Sequence, residues 1–412
     1  MVVFMVISFI TNILDPMGTD VQASFSLSET QTGYLATALF VAYAVMSIPS
    51  GLLVERFSAK TMLVVAFALS ALGAFLFASR PTFATALPCL FLIGVGFAML
   101  QVVINPLLRV VGGEAHYAFF GSMSQMIFAL GSTVSPHLYV YLVSNLKETG
   151  AAQNFLIRVL DRVVHPDMPW VSLYFVFTFI LVVMVQIVAL VKLPKMQLKE
   201  DEKVGSFNSI LELLKSKTVW LYFIGIICYV GTEQGVATKI KGFLVSCHHV
   251  DPDVASRVAV SGFWGAMTVG CAVSLVLLKL FDARKILVTF ASCGAITLLV
   301  ALFTPSTTVA MIALPMMGFW CSIGWPVVFS LAMNSLARHH GSFAGILCTG
   351  ILGGAIMPPL IGKIADHVGT FGLRYGMLAN LVTIAYLIGI GIWARPLINN
   401  ATINPKKTEV SV

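Results

Sequence analysis

The sequence predicts an all-α membrane protein with twelve transmembrane helices in two pseudo-symmetric six-helix halves. Three observations support this fold class. The chain of 412 residues is 58% hydrophobic and only 10% charged, whereas soluble domains average about 25% charged residues. It divides into twelve apolar segments, each near the length of about 20 residues that a helix needs to cross a bilayer. Prolines and intramembrane acids in the first six segments recur at corresponding places in the last six.

The predicted spans alternate with short polar connections. They cover residues 2–25, 32–55, 61–79, 82–111, 117–144, 169–193, 217–246, 254–280, 285–303, 306–337, 342–367 and 372–395. The longest cytoplasmic loop separates six spans from six. We therefore expect an N-terminal six-helix bundle over 1–194, a cytoplasmic linker over 195–216, a C-terminal six-helix bundle over 217–396 and a cytoplasmic tail over 397–412.

Lysine and arginine predict the orientation. If both termini are cytoplasmic, most basic residues lie inside, as the positive-inside rule requires. The inside then holds Arg56, Lys60, Arg109, the lysines between 192 and 217, Lys279, Arg284, Lys285, Arg338, Arg395, Lys406 and Lys407, and the outside Arg80, Lys147, Arg158, Arg162, Arg257 and Arg374. We expect a multi-pass protein of a plasma membrane or bacterial inner membrane. The N-terminus lacks a basic region and a small-residue cleavage site, so it is expected to be a first span and not a signal peptide.

The first span contains an acid, Asp15, directly before Pro16. An aspartate inside a membrane helix costs about 2.5–3.5 kcal/mol on insertion scales, so it normally faces a bundle interior or a water-filled cavity. Pro16 removes a backbone donor and loosens the helix beside it. This pattern indicates a site for a cation or a hydrogen-bonding substrate; the alternative is an acid that only reaches the headgroups.

Two local patterns predict features of later spans. The run Ser28-Glu29-Thr30-Gln31 is typical of a capping box at the start of span 2, with Ser28 as the N-cap. Closely spaced glycines in spans 4 and 11 predict close helix–helix approach; they are Gly94, Gly96, Gly350, Gly353 and Gly354.

The two groups of six spans look like internal repeats. Pro106 in span 4 corresponds to Pro326 in span 10, and Pro136 in span 5 to Pro358 in span 11. Asp15 in span 1 corresponds to Glu233 in span 7 at nearly the same separation in sequence. Parallel six-helix repeats describe the major facilitator fold, whose binding site lies at the midplane between the halves.

The loop at 51–60, between spans 2 and 3, reads Gly-Leu-Leu-Val-Glu-Arg-Phe-Ser-Ala-Lys. It resembles the motif G-x-x-x-(D/E)-R-x-G-x-(R/K) of major facilitator transporters, with Ser58 in place of the usual Gly. The resemblance implies a gating role for Glu55, Arg56 and Lys60, because Glu55 and Arg56 can pair across the cytoplasmic helix ends. The alternative is a generic positive-inside loop.

Further motifs, over nearly the whole chain, resemble one branch of that superfamily, the fucose/galactose/glucose–proton symporters. They are Phe25-Ser-Leu-Ser28, Ile48-Pro49-Ser50-Gly51, Asn105-Pro106, Gln125 with Gly131, Tyr229-Val-Gly-Thr-Glu233, the run 322–330 and the run from Gly350 to Pro358. Asp15 lies at the position of the family's first-span acid. The resemblance implies a secondary active transporter that takes up a monosaccharide together with a cation by alternating access.

The chain departs from this family at positions that bear on coupling and substrate. A Glu four residues before the Asn-Pro of span 4, which takes part in proton coupling in the family, is Gln101 here. The family's Arg-Leu-Asn at the start of span 5 reads Phe120-Gly121-Ser122, and a later Asn is Phe128. The Arg usual in span 8 is replaced by Cys271.

Acids, amides and aromatic rings inside the spans are the candidate site residues, because sugars are bound by hydrogen bonds to hydroxyls and by aromatic faces against the ring. We assign cation coupling to Asp15 and Glu233. The candidate substrate-binding residues are Gln101, Asn105, Gln125, Glu233, Gln234, Trp264, Trp325 and Lys241, with Tyr229 as a further aromatic. Each amide has an interhelical hydrogen bond as its alternative role, and each tryptophan has core packing or the interfacial belt. We expect Gln125 and Glu233 to face each other across a central cavity.

Two lysines in the outer half of span 7, Lys239 and Lys241, are not features of the resembled family. One interpretation is that both snorkel to the outer headgroups. In the other, Lys241 lies about two turns beyond Glu233 on broadly the same face of a regular helix. It would then border the outer vestibule and bind a substrate carboxylate, Asp15 or Glu233.

The resemblance favours cation-coupled uptake of a monosaccharide, with a proton or sodium as the cation. The alternatives are a carrier of an anionic sugar derivative, an uncoupled facilitator and a polyspecific exporter. No nucleophile–base pair appears, and the seven cysteines show neither CxxC nor metal-ligand spacing, so we expect no enzyme, no cofactor and no metal. We expect a monomer that interacts with a sugar-like molecule and the bilayer, and not with nucleic acid, because the basic residues flank the membrane.

Overall fold

The computed structural model describes residues 2–12, 14–112, 117–147, 154–191, 207–336, 340–369 and 371–396. These residues contain no strand, and twelve of their helical segments are long and apolar enough to cross a membrane. The predicted all-α class and the twelve spans are confirmed.

The helices of spans 1 to 6 are Val2–Thr11 with Leu14–Phe25, Glu29–Arg56, Ala59–Ser79, Phe83–Gly112, Tyr117–Lys147 and Ser172–Leu190. Those of spans 7 to 12 are Lys217–Ala237 with Ile240–His248, Ser261–Leu280, Ala283–Phe303, Thr307–Cys321 with Gly324–Met333, His340–Thr349 with Gly353–Val368, and Gly372–Met377 with Asn380–Trp393. Shorter elements are the helices Phe155–Asp161, Phe207–Leu214 and Pro252–Val254, the π-helical turn Ala255–Val260, and the 3₁₀ turns Pro169–Val171 and Gly350–Leu352.

Span 1 is broken just before Asp15. Its first helix ends at Thr11 and its second begins at Leu14. Pro16 has no N–H to donate to the carbonyl of Asn12, four residues earlier, and its ring crowds that carbonyl. The break therefore follows from the proline, as the sequence predicts.

Span 7 is broken as well, between Ala237 and Ile240. Here the Thr238 hydroxyl donates to the Gln234 carbonyl at 2.6 Å, and the Lys239 N–H bonds to the Val236 carbonyl, only three residues back. A threonine bonded to the preceding turn and a tightened last turn both bend or end a helix. The condition that placed Lys241 on the Glu233 face, a regular helix, is therefore not met, and Glu233 and Lys241 lie on separate helices.

The predicted capping box and the predicted close approach of helices at glycines are both confirmed. Ser28 Oγ accepts from the Gln31 N–H at 3.2 Å, and Gln31 Oε1 accepts from the Ser28 N–H at 2.9 Å, which completes the capping box. Gly94 approaches span 2 so closely that a Cβ would overlap the Leu39 carbonyl oxygen, and a Cβ on Gly353 would overlap that of Ile227 in span 7. Small residues thus set the helix–helix distances.

The first six spans meet the last six along two seams. Span 2 packs along span 11, and span 5 along span 8. In the second seam Ser261 Oγ donates to the Thr133 carbonyl at 2.7 Å and lies 3.0 Å from His137 Nε2. We call the side of the protein that carries residues 26–28 and 249–251 the outer side, following the orientation predicted from lysine and arginine.

Candidate functional site

A chain of polar side chains connects the two halves. Tyr229 Oη donates a short hydrogen bond to Glu233 Oε2, and Gln234 Nε2 donates to Glu233 Oε1 at 3.2 Å. Gln234 Nε2 also lies 3.5 Å from Asn12 Oδ1 of span 1. Asn12 Nδ2 in turn donates to Ser132 Oγ of span 5 at 2.6 Å. The contacts described for the Glu233 carboxylate are thus to neutral donors, a phenol and an amide.

Glycines and the break of span 1 place this polar chain. Gly231 lies against Met357 of span 11 and Gly235 against Asn380 of span 12, where a Cβ would meet side-chain atoms at 2.6 Å in each case. These close contacts hold one face of span 7 against its own half. Asn12 lies in the break, beyond the last residue of the first helix, where it is 2% exposed.

Asn12 and Ser132 are the polar residues here that the sequence analysis did not identify. The available signal was Pro16, because the carbonyl it leaves without a helical partner is that of Asn12. A polar side chain at a proline-induced break inside a membrane span is a strong sign of a packed or functional position. Ser132 carries no comparable signal.

The two candidate tryptophans lie in different surroundings. The Trp325 ring centroid is 6.5 Å from that of Tyr229, and Trp325 stacks on Phe329 at 5.7 Å. It therefore belongs to the surroundings of Glu233. Trp264 is 1% exposed and packs edge-on against Phe263. A substrate-binding role for either ring stays a prediction.

Gln125 is exposed and lies on the face of span 5 that also carries Ser132 and Tyr139. Residues seven apart lie two turns apart on the same face of a helix. Ser132, on the same face as Gln125, contacts Asn12. This placement is compatible with the predicted role of Gln125 in a central cavity, and its pairing with Glu233 stays a prediction. Gln101 is half-buried in span 4.

Several predicted residues fall outside the described side chains. They are Asp15, Asn105, Glu55 and Arg56, of which only the backbone is described, within helices. Lys60 is described and lies half-buried in the first turn of span 3. The coupling role of Asp15 and the gating role of the loop motif therefore stay predictions.

The lysines of span 7 do not reach the headgroups. Lys241 is 1% exposed, and its Nζ donates to Asp20 Oδ2 at 2.7 Å and to the Pro16 carbonyl at 2.6 Å. Lys239 is 3% exposed, and its Nζ lies 2.8 Å from Glu29 Oε2. The snorkelling interpretation is wrong, because acids of the first half draw both ammonium groups inward. The assignment of Lys241 to a substrate carboxylate stays untested; in this conformation it binds Asp20.

Comparison with known proteins agrees with this architecture. The sequence profile of the Major Facilitator Superfamily matches residues 1–350. A glucose/galactose transporter of Brucella abortus is 30% identical over 398 residues, which cover 94% of this chain and 91% of the relative. An L-fucose-proton symporter of Escherichia coli is 26% identical over 373 residues, 87% of this chain and 84% of the relative.

A solved structure shares the fold. The crystal structure of a variant of the Escherichia coli fucose:proton symporter matches with a TM-score of 0.68 and 22% identity, over 96% of this chain and 98% of the other. The resemblance found in the sequence motifs is thereby confirmed. With its twelve apolar spans and this profile match, the chain is a multi-pass membrane protein that belongs to the Major Facilitator Superfamily.

Proposed function

We propose that this protein takes up a monosaccharide by alternating access and that a cation, expected to be a proton, drives the uptake. The observation that carries the proposal is the polar chain from Tyr229 through Glu233 and Gln234 to Asn12. It joins the two halves, and transporters of this type bind substrate between their halves.

The polar side chains from Tyr229 to Asn12 have the chemistry to bind a sugar. A carboxylate and two amides offer acceptors and donors for adjacent hydroxyls, and the rings of Tyr229 and Trp325 offer apolar faces. Gln234 of the C-terminal half contacts Asn12 of the N-terminal half. A ligand that takes over their hydrogen bonds therefore changes the relative stability of the outward-open and inward-open arrangements of the halves. Binding of substrate in the site and the rocking of the halves are coupled in this way.

Two further points support uptake coupled to a proton. The names of the relatives specify glucose, galactose and fucose, and that of the fucose relative specifies proton symport. Since Gln101 replaces the titratable residue expected in span 4, Asp15 and Glu233 are the acids left within the proposed site.

The test is uptake into proteoliposomes from a panel of labelled hexoses, amino sugars and sugar acids, with imposed proton or sodium gradients. We expect a neutral hexose to accumulate when the lumen is alkaline and a protonophore to abolish the accumulation. Glu233→Gln should lose accumulation, and Asp161→Asn, in the outer loop, is the matched control. Equilibration without accumulation would point to an uncoupled carrier, accumulation of sugar acids alone to an anionic substrate, and no uptake of any sugar would refute the proposal.

A further inference from the structure

One segment of the C-terminal half, Lys239-Ile240-Lys241, carries two ammonium groups across to the N-terminal half on the outer side. It lies just beyond the end of the first helix of span 7. Lys241 reaches Asp20 in span 1, and Lys239 reaches Glu29 at the start of span 2. We call these four side chains the outer clasp.

In the Lys241 half of the clasp the lysine is 1% exposed and the Asp20 side chain is half-buried. The Lys241 ammonium has the Asp20 carboxylate and the Pro16 carbonyl as acceptors and stands 5.1 Å from the ring centroid of Tyr139. Tyr139 Oη donates a second, short hydrogen bond to the same Asp20 oxygen. Spans 1 and 5 thus build an acceptor site that a lysine of the other half fills, with a cation–π contact added.

The Lys239 half is fixed at the N-terminus of span 2. Glu29 Oε2 accepts from Lys239, and Glu29 Oε1 accepts from Gln22 Nε2 at 3.0 Å. Beside it Asp366 of span 11 accepts from the Glu29 N–H at 3.0 Å and from the Thr30 N–H at 2.9 Å. The Lys239–Glu29 ion pair and the hydrogen bonds to Asp366 both join opposite halves. An acid at a helix N-terminus is also favoured by the helix dipole.

We infer that Lys239 and Lys241 are gate residues, and that the outer clasp holds the outer side of the transporter closed. Each of its ion pairs joins one half to the other, so neither survives the separation of the outer ends. When the halves separate, two acids and two lysines are returned to water on opposite walls of the opening. The inference rests on alternating access as proposed above, and its test uses no substrate.

The burial of the clasp predicts an unequal response to single and double substitutions. Removal of one partner leaves the other charge without its counter-charge in the closed state, which costs more than removal of both partners, because desolvation of the intact pair offsets much of its attraction. Lys241→Gln should therefore open the outer side more than Asp20→Asn combined with Lys241→Gln. Lys241→Arg keeps the charge and should stay closed.

Hydrogen–deuterium exchange of the purified, substrate-free protein tests this. We expect Lys241→Gln to speed amide exchange in residues 26–32 and 238–250 by roughly tenfold or more, because these segments carry clasp residues and the Glu29 and Thr30 N–H groups bond to Asp366 of the other half. Exchange in the helix Ala59–Ser79, which packs against spans 4 and 6 of its own half, should stay at the wild-type rate. Lys285→Gln, an exposed lysine on the cytoplasmic side, is the matched control.

Two results would overturn the inference. One is unchanged exchange at the outer segments in Lys241→Gln and Lys239→Gln. The other is an equal acceleration in Ala59–Ser79, which would assign the lysines to general stability. If Lys241→Gln does not fold, Lys239→Gln and Asp20→Asn provide the same comparison, the first at the second ion pair and the second from the acid side. Exchange is independent of transport, so a carrier with another substrate can still pass this test.

Discussion

Gly362 in span 11 allows a test of outer closure that involves no charge. A Cβ at this position would overlap the Glu29 carbonyl oxygen and would stand 2.5 Å from the Glu29 carbonyl carbon and 2.7 Å from the Thr30 nitrogen. All three are backbone atoms of span 2, so no side-chain rotation can relieve the overlap. Gly362→Ala is therefore tolerated only where the outer ends of spans 2 and 11 have moved apart.

The magnitude follows from the cost of overpacking. Extra methyl groups forced into a close contact cost about 1–3 kcal/mol, and 1.4 kcal/mol corresponds to a factor of ten in an equilibrium. The ratio of outer-closed to outer-open protein should thus fall by about fivefold to 150-fold. The gain in helix propensity from glycine to alanine acts in both states and cancels in this ratio.

Gly96→Ala is the matched control. Its Cβ would overlap the Ala66 carbonyl oxygen of span 3, a contact within the N-terminal half that both states share. It should lower the unfolding temperature without faster amide exchange at 26–32. Gly362→Ala should instead speed amide exchange at 26–32 without lowering the unfolding temperature. Equal losses of unfolding temperature in both variants, with wild-type exchange at 26–32, would refute the assignment of this contact to the gate.

Three further predictions concern the site and the helix ends. Asp15→Asn should abolish accumulation against a gradient and leave counterflow exchange measurable; concentrative uptake by that variant would contradict a coupling role. Gln125→Ala and Glu233→Ala should each weaken substrate binding by about 1–3 kcal/mol, as for hydrogen bonds to polar or charged groups, and unchanged affinity of both in calorimetry would exclude them from the site. At the start of span 9, hydrogen bonds from Arg284 lower the pKa of Asp282. Its stabilisation is therefore present at neutral pH and is lost as the pH falls through that lowered pKa, so the unfolding temperatures of wild type and Asp282→Asn should differ at pH 7 and converge below about pH 4.

Features that depend on local signals could be predicted from the sequence. The spans follow from apolar length, the capping box from Ser28 and Gln31, and the break of span 1 from Pro16. Each of these depends on residues within a turn or two of one another. The break of span 7 could not be found in this way, because it contains neither proline nor glycine and follows from the hydrogen bond of the Thr238 hydroxyl.

Contacts between distant spans were less predictable. Lys241 was placed on the outer part of span 7, but its partner depends on which face of span 1 meets it, and Asp20 competes with Asp15 and the headgroups as an acceptor. The partner of Asn12 could not be predicted for the same reason, since an amide in a span reveals its partner only through packing. The sequence thus predicts which groups are available, and the packing of the halves decides which of them pair.

The start of span 2 shows how a local signal becomes part of the gate. The first N–H groups of a helix have no intrahelical partner, and the capping box satisfies only that of Gln31 and that of Ser28. The N–H groups of Glu29 and Thr30 are left for Asp366, which belongs to the other half, and Oε2 of the Glu29 carboxylate is left for Lys239. Closure of the outer side thus completes the hydrogen bonding of a helix end that the N-terminal half leaves incomplete. Since water can replace these partners when the halves separate, the closed state is favoured without being locked, as a carrier that must reopen in every cycle requires.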